Sequence, residues 1–241
     1  PKAVYAVHLD HGNEEHALES IASNNYNSVM IDASHDDFET NVKRTRAVVQ
    51  KAHQKNIFVE AELGVLSGVE DDISIDEKLA KYTKPSEVEK FVQLTQCDSL
   101  AVAVGTSHGA YKFSGGQGIQ FDILKEIQQR LPNFPIVLHG GSAVNKEEIN
   151  RINRAGGRLI EGAAGVASEE IVESIKYGVC KINIATDTRL LWARIHREFF
   201  KDSPELFDPI IPGKKYMEAY EAFMVEKFDL LNATNKASQF I

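Results

Sequence analysis

Only two cysteines occur in the 241 residues, Cys97 and Cys180. They lie far apart and form no CxxC pair, which argues against a disulfide and reads as two reduced thiols in a cytoplasmic protein. No apolar stretch approaches the roughly 18 residues of a membrane-spanning helix. No run of Lys and Arg stands out, and the formal net charge is −8. A surface for nucleic acid or an anionic membrane is therefore not expected, and any phosphate must be caught by a few placed groups. The opening residues, Pro1 and Lys2, do not read as a signal peptide. No low-complexity segment or linker divides the chain. With 43% hydrophobic residues, the expectation is one large domain over residues 1–241, with a helical extension from about residue 203.

Six short apolar runs recur, at 4–9, 28–33, 57–63, 99–104, 135–138 and 179–184. Several are nearly continuous in Val, Ile, Leu and Ala, which suits buried parallel strands better than half-exposed antiparallel ones. Helical patterns lie between them, at 14–23, 37–55, 85–95, 121–131, 146–155 and 168–177, and further helices are expected at 188–201 and 214–231. The stretch 156–167, rich in Gly and Ala, reads as an irregular excursion, and 203–213 as a Pro-containing connection. Strand and helix alternating in this rhythm mean βα units. Six strands do not close a (βα)8 TIM barrel, which needs eight. The expectation is an α/β TIM barrel whose first two βα units, about 60–80 residues at roughly 30 per unit, precede Pro1; an open doubly wound sheet is the competing arrangement.

Polar residues gather at the C-terminal end of every strand, the face on which active sites of this architecture lie. The ends read His8-Leu9-Asp10-His11-Gly12, Asp32-Ala33-Ser34-His35, Glu60-Ala61-Glu62-Leu63-Gly64, Gly105-Thr106-Ser107-His108-Gly109, His139-Gly140-Gly141-Ser142 and Asn183-Ile184-Ala185-Thr186-Asp187. Three of them supply a His: His11, His108 and His139. Three imidazoles from separate tips match a catalytic metal site, because three ligands leave a position open for substrate. His8, on the strand side of Asp10, reads as a core residue or a supporting partner behind the site, His16, His53 and His196 as surface residues, and His35 as a bystander. Alternation sends Glu60 and Glu62 to one side of their strand at different depths. Either could instead form a buried ion pair inside the barrel; Glu62, nearer the tip, is the better site candidate. The last two tips look made for phosphate. Gly140-Gly141-Ser142 offers backbone N–H groups and a hydroxyl, and Thr186 opens a helix whose N-terminus attracts anions. Gly109 and Lys112 could complete the cradle.

Together these blocks resemble the signature segments of the class II, zinc-dependent ketose-bisphosphate aldolases. They occur in the family's order and cover essentially the whole chain. The resemblance implies one zinc ion per chain on His11, His108 and His139, with Asp32 and Glu62 as acids that hold the site or offer alternative metal positions. Asp10 corresponds to the acid/base that handles the aldehyde-derived hydroxyl. Glu70, read as part of a mobile loop, Gly68-Val69-Glu70-Asp71-Asp72, corresponds to the residue that exchanges a proton with the three-carbon ketose. Gly109, Lys112, Gly140, Ser142, Asn183, Thr186 and Arg189 match groups around substrate and phosphate. A monovalent cation, Na+ or K+, beside that phosphate is a further family feature. Sugar phosphates are the implied partners, and a homodimer or homotetramer the implied assembly.

Ala185 departs from the acidic residue common in fructose-type members and resembles tagatose-type ones. The run Glu205-Leu206-Phe207-Asp208-Pro209 resembles the fructose type. Fructose 1,6-bisphosphate is the expected substrate, with tagatose 1,6-bisphosphate as the alternative. Two other readings predict different chemistry: a Schiff-base aldolase using Lys181 or Lys112, and a catalytically silent sugar-phosphate-binding barrel.

Overall fold

The structure, a computed structural model, describes residues 4–70, 73–75, 81–108 and 118–239. Along the chain run β1 (His8–Gly12), α1 (Glu14–Ser23), β2 (Ser28–Ile31), α2 (Phe38–His53), β3 (Phe58–Leu63), β4 (Ser67–Glu70), β5 (Ile73–Ile75) and α3 (Pro85–Thr95). They are followed by β6 (Ser99–Val102), β7 (Ser107–His108), α4 (Phe121–Arg130), β8 (Ile136–Leu138), α5 (Lys146–Arg154), α6 (Ser168–Ile175), β9 (Val179–Ile182), α7 (Thr186–Asp202) and α8 (Ile210–Leu230). Local chemistry sets several helix starts. Asn13, Asp37 and Asn145 each accept a backbone N–H of the following turn, and Pro85 opens α3 where no donor is needed.

Six strands form one sheet in the order β1-β2-β3-β6-β8-β9, every neighbouring pair parallel. The two faces of this sheet differ sharply. Val29, Ile31, Val59, Ala61, Leu100, Val102, Ile136 and Leu138 point to the helices and form the core with Ala17, Val48, Val49, Phe91, Leu124 and Ile127. At roughly 1.5–3 kcal/mol per large apolar side chain, this burial is the main force holding helices to sheet. The alternate residues carry Met30 opposite Glu60, and Glu62 opposite Ala101, which in turn opposes Val137. Two buried carboxylates therefore sit on the face away from the helices, as alternation requires.

The sheet curls. Asn183, just past β9, donates its amide to Asp10 of β1 at 2.9 Å, although these strands stand at opposite ends of the strand order. The architecture is thus an α/β fold with a parallel six-stranded half-barrel. Past it, α8 packs on α7 and buries little of itself: among its described residues only Pro212 is fully buried.

Several boundaries depart from expectation. The first strand runs His8–Gly12 rather than 4–9, so Asp10 and His11 lie within it rather than beyond it. Helix α7 starts at Thr186 and α8 at Ile210, the latter absorbing part of the expected Pro-containing connection. The larger correction concerns Glu70, expected in a loop. It ends strand β4, which pairs antiparallel with β5 and parallel with β7, in register Gly68 to His108. This small second sheet lay unread because Ser67–Glu70 has no apolar run and its parallel partner, β7, is about 40 residues away in sequence.

Candidate functional site

A bulge in β1 shapes the site. Against β2, Leu9 pairs with Val29 but Gly12 pairs with Ile31, so three steps of β1 match two of its neighbour. His11 takes up the difference in a left-handed conformation, φ +44. Such a bulge breaks strand alternation, and here two consecutive polar side chains, Asp10 and His11, join one group with His139. Gly12 follows because a Cβ there would lie 2.5 Å from Leu9 Cδ2 and 3.0 Å from Met30 O.

Each imidazole is oriented by a carboxylate. His11 Nδ1 lies 3.0 Å from Asp32 Oδ2, and Asp32 accepts through its other oxygen from the backbone N–H and hydroxyl of Ser34. Burial alone would raise the Asp32 pKa, but these hydrogen bonds prevail and hold the carboxyl well below its ordinary range. His139, at the end of β8, is fully buried beside the His11 ring, with ring centroids 4.5 Å apart. Its Nε2 lies 2.9 Å from Glu60 Oε1 and its Nδ1 3.4 Å from Glu62 Oε2. Burial opposes the imidazolium, but Glu62 and then Glu60 outweigh it and lift the His139 pKa to about 9. Glu60 itself falls to about 2: burial would raise it, and the bonds from His139 and Lys181 overcome that. Lys181 Nζ donates to Glu60 Oε2 at 2.8 Å, the ion pair that the sequence left open for either acid. The same contact engages the ammonium that a Schiff-base reading would present to substrate.

Three overlapping sets bring possible metal-ligating atoms within 4.8 Å of one another: Asp10, His11 and His139; His8, Asp10 and Glu60; and His11, Asp32 and Glu62. His8, expected in the core or behind the site, borders it. Its Nδ1 meets Ser28 Oγ at 2.8 Å, and its Nε2 is 3.8 Å from Glu60. Burial, and next the Lys181 ammonium, lower its pKa, so the ring is neutral at neutral pH.

The loop after β8, where phosphate was expected to bind, is braced by its own hydrogen bonds. Gly140 has φ +65, and a Cβ there would stand 2.4 Å from Ser107 O. Gly141 N–H donates to Asn183 O, while Ser142 and Ala143 carbonyls accept from Val166 and Gly165. Asp187, in the first turn of α7, accepts from the backbone N–H groups of Ala143 and Val144 at 2.9 and 2.8 Å. Val144 has φ +54, rare for a β-branched residue, and the Asp187 contact holds it there. The roles of Asp187 and Gly165 were not anticipated. An acid directly after a strand tip in a helix first turn was the available signal for the former.

Of the expected site residues, the structure gathers Asp10, His11, His139, Asp32 and Glu62, with Asn183 bonded to Asp10. Gly140, Ser142 and Thr186 lie in or beside the loop after β8, Ser142 and Thr186 being buried, and Arg189 is half-buried on the first turns of α7. Gly109 and Lys112 lie outside the described residues, as do the side chains of Glu70 and His108. The backbone of His108 is described, in β7.

Comparison with known proteins agrees. The family model for fructose-bisphosphate aldolase class II matches residues 2–236. A fructose-bisphosphate aldolase of Thermus caldophilus is 42% identical over 236 residues, 96% of this chain and 75% of the relative. One from Giardia intestinalis is 39% identical over 245 residues, 100% of this chain and 73% of the relative. Among solved structures, a candidate fructose-1,6-biphosphate aldolase from Coccidioides immitis superposes with a TM-score of 0.77 at 26% identity, covering 98% of this chain and 74% of its own. A match this extensive, on a parallel half-barrel with acids and imidazoles gathered at its strand ends, leaves one conclusion: the chain belongs to the class II fructose-bisphosphate aldolase family.

Proposed function

We propose that the protein cleaves fructose 1,6-bisphosphate reversibly to dihydroxyacetone phosphate and glyceraldehyde 3-phosphate, as a zinc-dependent, cytoplasmic enzyme of glycolysis and gluconeogenesis. The observation that carries this reading is the convergence of Asp10, His11 and His139 within 4.8 Å. Class II membership implies a divalent metal, and the donors fit one: imidazoles and carboxylates in overlapping sets, two of the imidazoles fixed by carboxylates on their other nitrogen. In this reading His11, His108 and His139 hold the ion, and Asp32 and Glu62 orient its ligands or offer a second position. The bound ion supplies Lewis-acid stabilisation of negative charge developing on the ketose oxygens as the carbon–carbon bond breaks.

The chain's own residues do the remaining work. Half-exposed Asp10, steadied by Asn183, takes the proton of the hydroxyl that becomes the aldehyde and returns it in condensation. Glu70 exchanges the proton at the ketose carbon. Gly140, Ser142 and Thr186, with Gly109, Lys112 and Arg189, hold the phosphate groups, and binding far from the reacting bond fixes its orientation. A monovalent cation, Na+ or K+, belongs beside that phosphate.

The same reading makes residues 1–241 one catalytic domain of TIM-barrel type with a helical extension from about residue 203. Two further βα units would close the barrel between β9 and β1, whose tips already touch through Asp10 and Asn183. A homodimer or homotetramer fits the apolar side chains left exposed on α7 and α8, Trp192, Met217 and Phe228 among them.

Turnover of fructose 1,6-bisphosphate and tagatose 1,6-bisphosphate by the purified protein, before and after EDTA and with zinc restored, tests the proposal. Fructose cleavage that is lost with the metal and regained with it is expected. Asp10→Asn should keep its metal and lose about 10²–10⁴-fold in kcat. Full activity without metal, or preference for the tagatose sugar, would overturn the corresponding part.

A further inference from the structure

The polar face of the sheet holds a chain of contacts that runs beyond the carboxylate partner of His139 to Lys181. Glu60 of β3 is 2% exposed. Its Oε1 lies 2.9 Å from His139 Nε2, and its Oε2 accepts from Lys181 Nζ at 2.8 Å. One carboxylate therefore spans the ends of β8 and β9. Lysine can only donate, so it always demands an acceptor from the group it faces. A carboxylate satisfies that demand with one oxygen and still has the other for the imidazole, which must then be the donor at Nε2. The nitrogen turned toward Glu62 and the rest of the site is Nδ1.

We infer that Glu60 and Lys181 are positioning residues that fix the tautomer of His139, so that Nδ1 is the nitrogen offered to the metal. The inference rests on the metal reading of this site and adds to it the device that selects one ring nitrogen. A neutral imidazole carries its proton on one nitrogen and its ligating lone pair on the other, and the choice follows from the partner of the protonated one. Lys181 thus acts on the metal site through Glu60 without touching the metal or the substrate.

The consequence is specific and non-additive. In Glu60→Gln, Lys181 claims the amide oxygen and turns the NH2 group toward His139. Nε2 must then accept, the proton moves to Nδ1, and the ligating lone pair is lost from the site. In Glu60→Gln combined with Lys181→Met, the amide is free to turn its oxygen back to His139. Binding of Co2+ to the metal-free protein, measured by competition with a chromophoric chelator, reads this directly. We expect Glu60→Gln to bind about 10–100-fold more weakly than the wild type, the double variant to recover most of that loss, and Lys181→Met alone to stay within about 3-fold. A double variant as weak as Glu60→Gln, or a Glu60→Gln variant that binds like the wild type, would overturn the inference. Should Glu60→Gln fail to fold by circular dichroism, long-range 1H–15N correlation spectra of the zinc-loaded wild type decide instead. The His139 signal, assigned by its absence in His139→Asn, should be that of an Nε2-protonated ring, and an Nδ1-protonated ring refutes the idea. A wild-type protein with no affinity for Co2+ sinks the metal reading and this inference together; a wild type that binds while the variants behave otherwise sinks only this one.

Discussion

His139 is held by two carboxylates whose pull is opposed by burial, and the balance makes it a charged ring in the metal-free protein. Its pKa rises from 6.5 to about 9, so its contribution to stability is complete below 6.5 and lost as pH rises through about 9. Glu60 falls from 4.5 to about 2, so its contribution is complete above 4.5 and lost as pH drops toward about 2. Metal-free protein should therefore be most resistant to heat between these limits and should lose melting temperature on the alkaline side as His139 gives up its proton. Zinc-loaded protein should lack that alkaline limb, since a ligating ring nitrogen carries no proton to lose. Thermal melts of both forms across a pH series check this. A metal-free melting temperature that is flat from about pH 6 to pH 10 would show that the charged pair does not contribute as described.

Between β8 and α5, the loop depends on two acts of restraint: Gly140 folded back against the Ser107 carbonyl, and Asp187 gripping two consecutive N–H groups. Gly140→Ala places a methyl group against backbone and in a left-handed conformation, so a stability loss above about 2 kcal/mol by denaturant titration is expected. Asp187→Ala removes two charge-assisted bonds, each worth about 1.5–3 kcal/mol. On the proposed phosphate role of this loop, it should raise KM for the bisphosphate about tenfold or more with a smaller change in kcat. An unchanged KM would separate the loop from substrate. How far such elements could be read from sequence follows from what generates each signal. The strands β2, β3, β6 and β8 are buried on both sides, so unbroken runs such as Val29-Met30-Ile31 announced them. Their tips announced the acids and imidazoles. The β1 bulge left no mark, because Asp10 and His11 in succession read equally well as the start of a loop. Strand β4 stayed hidden because its pairing is made by backbone alone. The bond between Glu60 and Lys181, 121 residues apart, needs the curl of the sheet, which no local pattern encodes.

Taken together, the sheet and site form a body that a bound ion should brace. A ligand that binds only the folded state stabilises it by mass action, by about 2.7 kcal/mol at a hundredfold excess over Kd. Raising Zn2+ should therefore raise the melting temperature in a concentration-dependent way, and His11→Ala should abolish most of that response. A response undiminished in that variant would place the ion elsewhere. The strand order carries a last consequence. Because β1, β2, β3, β6, β8 and β9 stand side by side in the order in which they are synthesised, each βα unit leaving the ribosome finds its neighbour already in place, and growth of the sheet never waits for a distant strand. The bonds from Lys181 and Asn183 are the exception, for they reach back 121 and 173 residues. A nascent chain halted before Lys181 already holds Asp10, His11 and His139 but lacks the contacts that Lys181 gives Glu60 and Asn183 gives Asp10, so the bracing of the site is completed last.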